Sequence, residues 1–213
     1  MRQRIKEIKR IVEKELSCSA HNMDHVNRVY NICLHLMEDE KDIDKEVIQV
    51  AALLHDIARI REDRDNRGNT DHAVLGAEMA EPILKRLSFS EDKIKHIQDC
   101  IITHRYRTNN RPKTKEAMIL FDADKLDCLG AIGIARSYMW TGKNDAKLYT
   151  DVDIDKYIKE NLGGDKKGRI QDKTKHSPVI DWKTKGRFII DKLYTDKAKE
   201  IGKERSLFFE NFL

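Results

Sequence analysis

Apolar residues recur at helical spacing through roughly the first 140 positions of this chain. Ile5, Ile8, Ile11, Val12 and Leu16 predict a first helix from about residue 2 to 16, broken at Ser17 to Ser19. A second, N-capped by Asn22, carries Val26, Val29, Tyr30, Cys33 and Leu36, with His25 in its first turns. Asp44 caps a third, KEVIQVAALLHDIAR, whose apolar face is Val47, Val50, Ala51, Leu54 and Ala58 and which ends at the charged loop REDRDNRGN. A fourth, capped by Thr70 or Asp71, runs from His72 through Leu75, Met79 and Ile83, and Pro82 is expected to kink or split it. Ser90 opens a fifth, in which Ile94, Ile97 and Ile101 lead to His104 on the apolar side. A sixth segment, from Thr114 to about Thr141, passes through Asp122 and the small residues of LGAIGIA. Glycine inside a helix costs about 1 kcal/mol relative to alanine, so close packing is expected there.

Residues 142 to 178 lose this periodicity, carry Gly-Gly, Lys-Gly and Ser-Pro signals, and read as a surface excursion. Helical patterning returns from Lys185, with Phe188, Ile189, Leu193, Ile201, Leu207, Phe208 and Phe212; residues 179 to 213 are expected to pack the C-terminus back onto the core. Without alternating strands, repeats or a linker, the fold class is all-α: a single compact helical domain over 1 to 213 whose core spans about 20 to 140.

Composition narrows the function classes. The 41 basic and 37 acidic residues are mixed along the chain, so the net charge of +4 provides no basic stripe, and dedicated nucleic-acid binding is not expected. Cys18, Cys33, Cys100 and Cys128 lack CxxC spacing and read as reduced. No apolar run approaches the ~20 residues that span a bilayer. The start, MRQRIKEIKRIVEKEL, is too charged for a signal peptide, so a cytoplasmic protein without membrane contact is expected.

Chemistry concentrates at LLHDIARI, where His55 and Asp56 adjoin an apolar stretch. A buried ionised carboxylate needs compensation. Partners on the same side of other helices are His25, His72, His104 and Asp122. Singly, each has a plainer interpretation: His104 as a hydrogen-bonded core residue, Asp122 as one of several exposed acids beside Asp124 and Asp127. Together they point to a shared cation, and mixed imidazole and carboxylate ligation suits Mn, Fe, Co, Ni or Zn better than Mg or Ca. Successive helical residues diverge by about 100°. His55 and Asp56 therefore embrace ions beside the helix edge, with the two oxygens of Asp56 able to bridge a pair.

At these positions the chain resembles the HD-domain superfamily of metal-dependent phosphohydrolases, whose signature is a histidine, a His-Asp doublet and a distal aspartate, here His25, His55-Asp56 and Asp122. HDIAR is similar to the family's common HDIGK; HAVLG from His72 resembles its H-x-x-x-G element; ITHR holds His104 where two-metal members supply a further histidine; DADKLDCLGAIGIAR is similar to the helix bearing the last ligand. The resemblance implies an HD-type domain in which His25, His55, Asp56 and Asp122 ligate one divalent metal and Asp56, His72 and His104 a second. The sequence departs from the cyclic-dinucleotide branch in having RYRTNNRPK where that branch has Gly-Tyr-Pro after the histidine, and no appended sensor or transferase domain is expected.

Hydrolysis of a phosphate ester or phosphoanhydride by a metal-activated water follows from the resemblance, with Asp56 central to catalysis and a nucleotide or related small phosphorylated metabolite as substrate. One or two ions of Mn, Fe, Co, Ni or Zn, or Mg, would serve, and a homo-oligomer is compatible with the family. Arg59, Lys125 and Arg105 lie within a turn of these ligands and are candidates for phosphate contact; the alternative for each is a solvated surface charge. Arg59, at i+4 from His55 on a continuous helix, would project from the metal-bearing side, or else support a ligand by a hydrogen bond. The competing functions are a di-iron oxygenase with the same ligands and a non-catalytic nucleotide-binding regulatory domain.

Overall fold

The computed structural model describes residues 1–16, 23–65, 67–106, 110–166 and 168–213. Ser17 to Ser19 with Cys18, the Asn22 cap and part of RYRTNNRPK therefore lie outside the described residues. Among those described, the α-helices are α1 (Arg2–Glu15), α2 (Met23–Leu36), α3 (Lys45–Leu54), α4 (Arg59–Arg64), α5 (His72–Arg86), α6 (Glu91–Thr103), α7 (Lys115–Leu126), α8 (Gly130–Lys143), α9 (Ile154–Asn161), α10 (Pro178–Thr184) and α11 (Asp196–Phe212), and no strand occurs. The all-α class is thus observed. The backbone forms two compact units, Met1–Asp124 and Lys125–Leu213, divided in the last turn of α7.

In the first unit α3 is the central element. Val47, Ile48, Val50, Ala51, Ala52, Leu53 and Leu54 are all fully buried, as a helix apolar on every face must be, and α1, α2, α5 and α6 pack around it. Asp44 starts this helix by accepting hydrogen bonds from the Glu46 and Val47 amides. The expected continuation to Arg59 is not seen: α3 stops at Leu54, and residues 55 to 58 form a tight turn. There the Ile57 amide bonds the Leu54 carbonyl and the Arg59 amide the Asp56 carbonyl, three-residue spacings that wind the chain more tightly than an α-helix. The chain becomes helical again at α4, so REDR at 61 to 64, expected as loop, is helix.

Two other expectations change. Pro82 does not split α5, which runs unbroken from an N-cap at Asp71. Only one backbone bond is lost at a helical proline, and Ala77, Ala80 and Leu84 bury the helix on both sides of it. The sixth segment divides into α7 and α8, because Gly130 takes φ +67°, a left-handed conformation that breaks a right-handed helix at little cost only for glycine.

The second unit packs α8 against α10 and α11. Gly133 is the packing glycine of LGAIGIA, since a Cβ there would collide with the Cys128 carbonyl. Trp182 stacks on Phe209 at 4.7 Å, but Leu207, Phe208 and Phe212, expected to be packed, are exposed. The stretch expected as a surface excursion carries α9 and a small apolar cluster of Tyr157, Ile158, Leu162 and Ile180. Beside it, Asn161 donates to the Tyr157 oxygen and the Tyr157 hydroxyl meets His176 Nδ1 at 2.8 Å, so its polar groups are paired inside. Cys33 and Cys100 are buried and Cys128 half-buried, none of the three in a disulfide. Among the described residues no helix is long and apolar enough to cross a membrane.

Gly133→Ala forces backbone movement and should destabilise the protein by about 1 to 3 kcal/mol or more. Gly142→Ala, at the open end of α8 with nothing within 4 Å, should be neutral or stabilise by up to about 1 kcal/mol. Thermal melts of the two variants check this contrast, which equal effects would contradict.

Candidate metal centre

The tight turn after α3 delivers His55 and Asp56 into the first unit's interior, where both are almost completely buried. His25 comes from the first turn of α2, His72 from the first residue of α5, and His104 from the C-cap of α6, all buried. Their rings form a chain: His25 to His55 at 5.2 Å between centroids, His55 to His104 at 5.1 Å, His104 to His72 at 5.2 Å.

Asp56 divides this chain in two. Its Oδ2 lies 3.5 Å from His25 Nε2 and 3.8 Å from His55 Nε2, while Oδ1 lies 3.3 Å from His72 Nε2 and 3.8 Å from His104 Nε2. Two groups able to hold an ion result, His25 with His55 and Asp56, and Asp56 with His72 and His104.

The ring protons explain why a cation fits. His55 Nδ1 is 2.8 Å from the Ala52 carbonyl, His104 Nδ1 bonds the Ile101 carbonyl, and His72 Nδ1 is 2.9 Å from a Glu62 carboxylate oxygen. The Ala52 and Ile101 carbonyls only accept, so His55 and His104 carry the proton on Nδ1 and present a bare lone pair at Nε2, whereas His72 Nδ1 has the Arg59 and Arg105 guanidiniums at 3.1 and 3.4 Å beside the carboxylate. His72 and His104 Nε2 stand 3.3 Å apart, as do His25 and His55 Nε2. This spacing suits a shared cation, since metal–nitrogen bonds of about 2.0 to 2.1 Å at tetrahedral to octahedral angles separate adjacent nitrogens by about 2.8 to 3.4 Å.

Electrostatics agree. Burial lowers His55 to about 4, and burial also lowers His72, against the opposing pull of Glu62 and Asp56. Burial resists ionisation of Asp56, yet the surrounding imidazoles, His55 first, hold its carboxyl well below the ordinary range. Unprotonated imidazoles and an ionised bridge are the states that bind metal.

Asp122, expected as a ligand, lies on α7 with its side chain inside the first unit. It is buried, but the acid beside His25 is Asp124, with Oδ1 3.3 Å from His25 Nε2. Residues two apart on a helix diverge by about 200°, so α7 turns Asp122 away from the direction in which Asp124 points. Arg59 and Arg105 meet at Glu62, donating to Oε2 at 2.8 Å and Oε1 at 2.7 Å; Arg105 also pairs with Asp71 at 2.9 Å, and the buried Arg59 Nε makes no hydrogen bond and faces Asp63 Oδ1 at 3.6 Å. Burial pushes the Glu62 carboxyl up, but His72 and the two guanidiniums outweigh it and bring the group to about 2. Lys125 is buried at the start of the second unit. Glu62 and Asp124 are the residues that pattern alone misses: Glu62 sits in a run of charges, and α7 is buried on so many sides that periodicity cannot choose between its acids.

The HD domain family model matches residues 22–129. YpgQ of Bacillus subtilis is 29% identical over 143 residues, 62% of this chain and 63% of that protein, so the match spans a little under two thirds of the relative. The fold is similar to that of Bacillus subtilis YpgQ in complex with ADP, with a TM-score of 0.71 at 22% identity over 99% of this chain and 91% of the other. It is also similar to an HD-superfamily hydrolase from Bacillus thuringiensis, with a TM-score of 0.69 at 25% identity over 99% and 93% of the two chains.

The lowered histidine pKa values set a pH dependence. The folded values lie below the unfolded 6.5, so between about 4 and 6.5 the unfolded chain binds more protons, and stability drops as pH falls through that window. Glu62 adds a loss of the same sign below 4.5 as pH approaches 2. Chelator-treated protein should therefore melt at a steady temperature above pH 7 and at falling temperatures from pH 6.5 to 4.5. A flat profile across that interval would contradict neutral, buried imidazoles.

Proposed function

The chain belongs to the HD-domain family, and from that membership we propose that its first unit is a metal-dependent phosphohydrolase acting on a nucleotide or a related small phosphorylated metabolite. The observation that carries this is the divided Asp56, one oxygen toward each of two clusters of imidazole Nε2 atoms. His25, His55, Asp56 and Asp124 would hold one divalent ion, and Asp56, His72 and His104 a second, with Asp124 in the role that the resemblance gave to Asp122. Such ions supply an acidified water and positive charge for phosphoryl oxygens.

The protein's own residues prepare the rest. The carbonyls of Ala52 and Ile101 keep the protons of His55 and His104 on Nδ1, away from the reacting side. Arg59 and Arg105 bring two permanent positive charges to the His72 edge, at 3.1 and 3.4 Å from its Nδ1, where a phosphate could exchange with part of their carboxylate pairing. Arg59 Nε makes no hydrogen bond and faces Asp63 Oδ1 at 3.6 Å, which leaves it able to take a closer acceptor. The ADP complex of YpgQ supports nucleotide phosphates as the substrate class. The proposal rests on first-unit residues and leaves Lys125 without a role.

Phosphate release from nucleoside di- and triphosphates and simple phosphomonoesters, assayed with Mn, Co, Ni, Fe, Zn and Mg, is the direct test; no metal-dependent release from any of them would overturn the proposal. Asp56→Ala should abolish turnover and deplete both metals. Asp124→Asn should deplete metal held with His25, whereas folded Asp122→Asn should keep the wild-type content; the reverse result would restore Asp122 as ligand.

Arg59→Ala should lower kcat/KM by about 10- to 150-fold, the worth of a hydrogen bond to a charged group, and Arg59→Lys should recover part of it. A change below twofold in steady-state assays would assign Arg59 to the surface.

A further inference from the structure

His72 differs from the other histidines whose Nδ1 partner is identified. His55 and His104 have their ring protons assigned by backbone carbonyls three residues earlier, which no side-chain substitution can remove. His72 Nδ1 instead faces three side chains: Glu62 Oε2 at 2.9 Å, Arg59 Nη1 at 3.1 Å and Arg105 Nη1 at 3.4 Å. These make opposite demands. A carboxylate only accepts and requires a proton on Nδ1; a guanidinium only donates and requires a lone pair there. If the guanidiniums prevailed, the single proton of the neutral ring would sit on Nε2, pointing at Asp56 Oδ1 3.3 Å away and replacing the lone pair that a metal needs.

We propose that Glu62 is a positioning residue that selects the metal-binding tautomer of His72 and, by holding Arg59 and Arg105 on its two oxygens, keeps both guanidiniums from reversing the selection. Its place supports this. Glu62 lies one turn into α4, its side chain is 17% exposed, and its oxygens receive donors from three parts of the chain: Arg59 at the start of α4, His72 at the start of α5, and Arg105 just after α6. Asp71 takes a second share of Arg105 at 2.9 Å, which draws that charge further from the ring. A carboxylate on the outer nitrogen also strengthens the inner one as a ligand. The proposal deepens the metal-centre assignment and rests on it only for the consequence, a second ion; the tautomer itself is a property of the metal-free protein.

Long-range 15N–1H correlation spectra of the imidazoles in chelator-treated protein, with the His72 signals assigned by His72→Gln, read the tautomer directly. Wild type should show His72 protonated on Nδ1. Glu62→Gln, whose amide can donate to Nδ1 as the arginines do, should shift His72 to the Nε2-protonated form and leave His55 and His104 unchanged. Arg59→Ala with Arg105→Ala should keep the wild-type tautomer. In calorimetric titration with Zn²⁺ alone, Glu62→Gln should weaken one of two binding events by about 10- to 100-fold and spare the other, and Glu62→Asp should restore part of the loss.

An Nε2-protonated His72 in the wild type, or an unchanged tautomer in Glu62→Gln, would overturn the role of Glu62. Should Glu62→Gln fail to fold, the wild-type and arginine-variant spectra still decide. Wild-type protein that binds no Zn²⁺ would sink the metal-centre assignment while leaving the tautomer result standing, so the two failures are distinguishable.

Discussion

The buried carboxylate of Asp56 is the constraint from which the first unit's interior follows. An ionised group in an apolar core must be surrounded by compensating polar groups. The surroundings here are four imidazoles, two of which, His55 and His104, have their Nδ1 protons taken by backbone carbonyls and so turn Nε2 lone pairs toward it. That arrangement suits an interposed positive charge. The helix α3 ends at Leu54, and the turn that follows places both His55 and Asp56 in the interior beside the other rings. The fully buried α3, packed by four helices, anchors the turn and so fixes where the carboxylate can go.

Charge around this point is layered. Next to the rings are the carboxylates of Asp56 and Asp124; beyond His72 come Glu62 and Asp71, neutralised in turn by Arg59 and Arg105. The inner layer suits a cation, and the outer one carries two guanidiniums already paired with carboxylates. Neither layer is visible in the net charge of +4, because the discriminating charges belong to a handful of residues among 78 mixed ones, the sum of 41 and 37.

Most helices and most of the ring of histidines were legible in the sequence, for a shared reason. Periodicity reports which residues face inward, and a histidine facing inward at the end of an apolar run is conspicuous, as His55 and His104 are. Periodicity does not report which way a chain turns when it leaves a helix. The turn at 55 to 58, the helix at 59 to 64 and the break at Gly130 depended on that, and a one-dimensional pattern extended the helices straight through the first and the last. Nor does it discriminate on a helix buried all round. On α7, Ile119, Leu120, Phe121 and Ala123 are all buried, so Asp122 and Asp124 look alike in the pattern, and it does not report that Asp124 reaches His25 at 3.3 Å.

Glu62 was illegible for another reason: its importance comes from the conflict it resolves. A carboxylate in a run of Arg, Glu and Asp reads as a solvated face, and only the approach of α4, α5 and the end of α6 turns it into the third party between an imidazole and two guanidiniums. The candidate ligands are consequently oriented by different means. Around His55 and His104 the orientation comes from backbone carbonyls and is as rigid as the helices that bear them. At His72 it comes from side chains near the surface, whose geometry an incoming anion competes for. Binding of a phosphate by Arg59 or Arg105 would loosen their hold on Glu62, free that carboxylate to bond His72 more strongly, and so tighten the second ion as substrate arrives. Metal and anion would then reinforce each other through one carboxylate, a coupling that a site oriented only by backbone could not provide.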